Sequence, residues 1–195
     1  MPAAPSSLSI TLQIVSIVFY TFIAFICIGL PIAVIPGYVH EQLGFSAVVA
    51  GITIGSQYLA TLLSRPMAGR MSDNVGTKRA IVLGLSGILL SGVLTWVATL
   101  LQSLPSLSLG ILIVGRVLLG VAQGLIGVGT ISWCMGQVGT EHTARSISWN
   151  GIASYGAIAI GAPLGVVMVA QYGYNSLGPA LAGLAALGLV LIRKK

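Results

Sequence analysis

The 195-residue chain carries nine Lys and Arg and three Asp and Glu, so 6% of it is charged while 56% is apolar, and its net charge is +6. Soluble domains carry about 25% charged residues, so this composition excludes a water-facing globule. Disorder is excluded as well, because it needs low hydrophobicity with high charge, and what remains is a chain whose surface faces lipid.

Nine basic residues scattered along an apolar chain lack the clustered footprint of a nucleic-acid binder. Residues 1–39 contain no Lys or Arg, so the first apolar stretch reads as a retained span and not as a cleaved secretory leader, which opens on basic residues. Cys27 and Cys134 lie inside apolar stretches with neither metal nor disulfide spacing, and read as packing residues.

A spanning helix needs about 20 apolar residues. The charge-free windows and the turn-like runs at 102–106 and 171–176 place six spans, near 12–36, 46–64, 80–101, 107–133, 147–170 and 176–192. The alternating ten-residue strands of a membrane barrel are absent from the pattern. The chain is therefore expected to be an all-α polytopic membrane protein with six transmembrane helices. The sixth span sits at the lower length limit, a sign of a chain that stops early.

Arg65, Arg70, Lys78, Arg79, Arg145, Arg193, Lys194 and Lys195 all fall on one side of this topology. The other side receives no Lys or Arg. Positive residues favour the cytoplasmic side, so both termini are expected there.

Several spans carry a polar stripe. Helix 1 has Gln13, Ser16 and Tyr20; helix 2 has Thr53, Gln57, Thr61 and Ser64; helix 4 has Arg116, Gly120, Gln123, Gly127 and Thr130; helix 5 has Ser146, Asn150 and Ser154. Each set shares a helical face. Small and hydroxyl residues there serve close packing and backbone hydrogen bonds, whereas the amides must find partners wherever they sit. Helix 6 has no polar side chain after Ser176 and is expected to face lipid.

Arg116 stands out. It lies nine residues into its span, and at about 1.5 Å per residue that is roughly 14 Å deep, near the bilayer midplane. It keeps its proton, so it needs water, a partner or an anionic ligand. Glu41, Asp73 and Glu141 are all expected in loops, so no acid of this chain pairs with it. An enzyme is not indicated: no acid pair, His cluster or activated nucleophile lies near a span, and no cofactor or metal is implied.

The stretch from Gly69 to Arg79 resembles the helix 2–3 signature of the major facilitator superfamily, in which Gly, three residues, Asp, a basic residue, one residue and Gly precede basic residues. Gly69, Asp73, Gly76, Lys78 and Arg79 match; Asn74 replaces the usual basic residue, and Thr77 also departs. Arg116 to Gly120, followed by Gly124, resembles the helix 4 motif. Gly156, Gly161, Pro163 and Gly165 are similar to the helix 5 motif of exporting antiporters, with Ala162 interrupting the match. Pro31 and Pro36 fit the same pattern. Together these imply the first six-helix half of a bacterial drug- or sugar-efflux transporter.

The resemblance implies that Arg116 contacts an anionic group or coupling partner, that Gln57, Gln123, Asn150 and Tyr20 line the cavity, and that Gly69, Asp73, Gly76, Lys78 and Arg79 gate the cytoplasmic side. It also implies that Gly161 and Pro163 let helix 5 pack and bend. The expected partners are the bilayer, a small solute and a second six-helix half. That half is supplied by continuation of the same gene, by a separate chain or by a homodimer. A non-transporting six-span subunit or an inactive fragment is the alternative.

Overall fold

The structure, a computed structural model, describes residues 7–194. Six long helices run through it: α1 (Ser7–Ile32), α2 (Ala47–Asn74), α3 (Thr77–Leu100), α4 (Pro105–Val138), α5 (Thr143–Tyr172) and α6 (Leu177–Arg193). Six helical segments are long and apolar enough to cross a membrane.

The helices overrun the spans expected from charge-free windows. A charged residue marks the edge of the hydrocarbon, not the end of a helix, because long basic side chains reach the headgroup layer from helical positions. Thus α2 continues through Arg65, Pro66, Gly69, Arg70 and Asp73. Gly69 and Asp73, expected in a loop, are helical, and the connection to α3 shrinks to Val75 and Gly76. Gly76 takes φ 102°, which only glycine adopts without strain, and Gly139 and Gly173 reverse the chain at the two later junctions with φ 89° and 74°.

The first rod extends from Ser7 to Gln42. It is interrupted at residues 33–34, because Pro36 has no N–H to bond back to Ile32. It resumes as a short turn, Ile35–Gly37, and ends in a π-helical turn, Tyr38–Gln42. Glu41, expected in a loop, belongs to that turn.

The main packing pairs are α1 with α5, α2 with α4, α3 with α4, α1 with α6, α3 with α6, and α1 with α4. Exchanging α1, α2, α3 for α4, α5, α6 maps this set onto itself. The pairing is thus that of a three-helix unit used twice. Small residues make the closest crossings. Gly161 on α5 meets Gly29 on α1, with its Cβ position 3.0 Å from Gly29 Cα, and Gly165 presses on the Leu30 carbonyl. Helix α4 meets α2 the same way, with Gly120 against the Gln57 carbonyl and Gly124 against Ser64.

The expectation that α6 faces lipid holds for one side only. Leu181, Ala185, Gly188 and Ile192 are buried, with Gly188 against Leu85 of α3, while Leu187 and Val190 remain exposed. A purely apolar helix gives no sequence signal of which side packs.

Candidate functional site: a polar seam around Arg116

Arg116 is fully buried. The glycine row Gly120–Gly124 on its own face brings α4 against α2, and this contact sets Arg116 beside Gln57. Arg116 Nη1 donates to Gln57 Oε1 at 3.5 Å and Nη2 to Thr95 Oγ1 on α3 at 3.2 Å. Thr95 in turn donates to the Ser91 carbonyl at 2.9 Å. Arg116 Nε is buried with no hydrogen-bond partner.

The seam continues along α2 and α4. Gln57 Nε2 donates to Gln123 Oε1 at 3.5 Å, and Thr61 Oγ1 lies 3.2 Å from the same oxygen. Gln57 is 2% exposed, but Gln123 is half-buried. Gln123 is therefore the partly exposed member of the seam. Acids do not compensate the guanidinium. Glu41, Asp73 and Glu141 are exposed at the helix ends, and among the described residues the one ion pair is Glu141 with His142 at 4.0 Å. Isolating a cation in this way costs several kcal/mol unless its hydrogen bonds are met, and here they are met in part.

Arg116, expected to need water, a partner or an anionic ligand, has Gln57 and Thr95 as partners and is closed off from solvent within this bundle. Of the expected cavity set, Gln57 and Gln123 join Arg116, whereas Tyr20 and Asn150 do not. Tyr20 is buried and stacks on Trp133 of α4, with ring centroids 6.1 Å apart. Asn150 on α5 is half-buried and accepts a 2.8 Å hydrogen bond from Thr21 on α1. These two contacts tie α1 to its neighbours.

Two participants were missed. Thr95 belongs to a stripe of Ser91, Thr95 and Thr99 on α3, which has the same i, i+4, i+8 spacing as the stripe on α2 and was legible in that form. Thr21 stands alone among apolar residues and gave no signal.

The residues expected at the gate gather around one turn. Gly69 and the exposed Asp73 lie in the last turns of α2, Gly76 makes the reversal, and Lys78 and Arg79 are exposed in the first turn of α3. Asp73 pairs with neither cation. On α5, Gly161 and Gly165 are packing points, but Gly156 has nothing within 4 Å of its Cβ position. Pro163 is exposed, and α5 runs through it as one helix. Among the described residues no three His, Cys, Asp or Glu side chains gather as a metal site.

Residues 17–194 match the profile of the Major Facilitator Superfamily. The chain belongs to that superfamily. Similar proteins include uncharacterized MFS-type transporters of Burkholderia mallei (strain SAVP1) and Burkholderia pseudomallei (strain K96243), each 50% identical over 193 residues. These alignments cover 99% of this chain and 47% of the relative. An uncharacterized MFS-type transporter of Pseudomonas aeruginosa (strain LESB58) is 53% identical over 183 residues, covering 94% of this chain and 46% of the relative.

The facilitator chain thus spans about half the length of the curated relatives it matches. Its least enclosed helices are α2 and α5. Leu59, Leu62 and Leu63 on α2, and Ile152, Tyr155 and Leu164 on α5, are all exposed.

Proposed function

We propose that this chain is the first half of a secondary transporter that exports a small organic solute by alternating access, with a second six-helix half seated against α2 and α5. The observation that carries this reading is the buried Arg116, tied through Gln57 to the half-buried Gln123. An intramembrane cation with an unmet N–H is held at a cost to stability, and such groups mark transport pathways. Substrate sites in these folds lie between repeats near the midplane.

The basic helix ends are assigned to the cytoplasm by the positive-inside bias, with Asp73, Lys78 and Arg79 gating that side. Proton coupling, where present, falls to the second half, since this one offers no carboxylate at depth. The export direction rests on the helix 5 glycines and on Pro31 and Pro36.

Alternating access is testable without knowing the solute. In the full-length transporter, a Gln123→Cys thiol is exposed to a membrane-impermeant, positively charged methanethiosulfonate from each side in turn. Labelling from both sides supports the reading. Labelling from one side only, or from neither, contradicts it.

A further inference from the structure

At the end of the bundle away from the basic residues, α1 closes in the π-helical turn Tyr38–Gln42. Such turns are rare and recur at functional positions. This one is anchored from beneath, because the buried Tyr38 hydroxyl lies 3.0 Å from the Ala98 carbonyl and 2.9 Å from Ser108 Oγ. The anchor fixes the turn that carries His40 and Glu41 at the lip of a cleft of about 540 Å³ between the end of the first rod and the start of α2. Ile32, Pro36, Ala50, Gly51 and Ile54 form its apolar walls. Its volume falls in the range of roughly 300–1,000 Å³ usual for small-molecule sites.

Glu41 and His40 supply acceptors at the lip. His40 Nδ1 lies 2.7 Å from the Phe45 carbonyl. A carbonyl only accepts, so Nδ1 carries the proton, and Nε2 of the neutral ring is left as an acceptor. Glu41 makes no hydrogen bond or ion pair among the described residues. The Tyr174 hydroxyl and Glu41 Oε1 both stand beside Gly37, 3.1 and 3.9 Å from where a Cβ would be. Every described Lys and Arg except the midspan Arg116 lies at the other end of the bundle. Glu41 thus stands without an ion pair beside the apolar wall of this cleft, far from the basic end of the bundle.

We propose that this cleft binds a monovalent organic ammonium ion with an apolar tail. The N–H points at Glu41 and His40 Nε2, and the tail lies along Ile32, Ala50 and Ile54. Two donors fall short of a zinc site and further short of the six to eight oxygens that calcium takes. The charge-assisted hydrogen bond gives the preference for a cation over a neutral amide of the same shape. The site shares no residue with the Arg116 seam, so either stands if the other fails.

The test follows carbodiimide-driven coupling of glycinamide to Glu41, Asp73 and Glu141 on the chain in detergent micelles, read by peptide mass spectrometry. The probe is N,N-dimethyloctylammonium, with N,N-dimethyloctanamide as its neutral counterpart. The ammonium slows coupling at Glu41 at least about tenfold at saturation, leaves Asp73 and Glu141 within about twofold, and the amide protects nothing. His40→Ala weakens protection about threefold or more.

Gly51→Leu fills the cleft where nothing lies within 4 Å of the Cβ position, and abolishes protection. An unchanged far-UV circular dichroism spectrum and an unchanged unfolding midpoint in detergent show that the variant is folded. Ala47→Leu, on the same cleft, replaces it if it is not. Equal protection of all three acids, protection by the amide, or full protection in the filled-cleft variant overturns the proposal.

Discussion

Arg116 Nη1 and Gln57 Oε1 face each other at 3.5 Å across the contact between α4 and α2, at the point where Gly120 lets the two backbones touch. The pair sets a cation against an amide dipole, with a second amide, Gln123, behind it. A buried cation held by dipoles alone is expensive to keep, and removing its partner costs more than removing the cation. Gln57→Leu is therefore expected to destabilise the chain by about 1–3 kcal/mol. Arg116→Met keeps the stem, removes the charge, and stays within about 1 kcal/mol of the parent or exceeds it. Unfolding in detergent, followed by far-UV circular dichroism, separates the two.

The glycines divide into those that hold helices together and those that do not. Gly120→Val drives a side chain into the Gln57 carbonyl and is expected to cost about 1–3 kcal/mol or more. Gly127→Ala and Gly156→Ala meet nothing within 4 Å and gain up to about 1 kcal/mol from helix propensity. The same unfolding measurement ranks them. A Gly156→Ala variant as damaged as Gly120→Val would show that Gly156 has a contact the bundle does not display.

The α2–α3 reversal depends on Gly76 at φ 102°. Gly76→Ala forces an L side chain into the left-handed region, at about 1–2 kcal/mol. Asp73→Asn, exposed and without an ion pair here, is expected to leave the isolated chain within about 0.5 kcal/mol of the parent. If Asp73→Asn is as destabilising as Gly76→Ala, the acid has a structural role within this half.

Thr21 and Asn150 are joined at 2.8 Å between α1 and α5. A double-mutant cycle through Thr21→Val and Asn150→Leu is expected to give a coupling energy of about 0.5–1.5 kcal/mol, the size of one hydrogen bond. Coupling near zero would remove this contact as a tie between the helices.

The six spans and the basic end were legible because a bilayer makes composition decisive: hydrocarbon admits long apolar helices and few charges. Helix ends were not legible, because Arg65, Arg70 and Asp73 are tolerated on a helix once it reaches the headgroups. Spacing along α4 set Gln123 on the face of Arg116, whereas Gln57 entered the cavity set only through the resemblance. Spacing within one helix fails to say which face meets which, so it grouped Tyr20 and Asn150 with Arg116 although they tie α1 to α4 and α5. The same limit hid Thr21, whose role exists only through Asn150, 129 residues away.

In the reading proposed above, the seam from Arg116 to Gln123 governs which side of the membrane the pathway opens to. In the full-length transporter carrying Gln123→Cys, the added change Arg116→Met keeps the fold but removes the cation. Thiol labelling from the two sides is then compared with and without it. Loss of labelling from one side, with the other retained, is the expected result. Labelling from both sides at unchanged rates would show that Arg116 has no part in switching access.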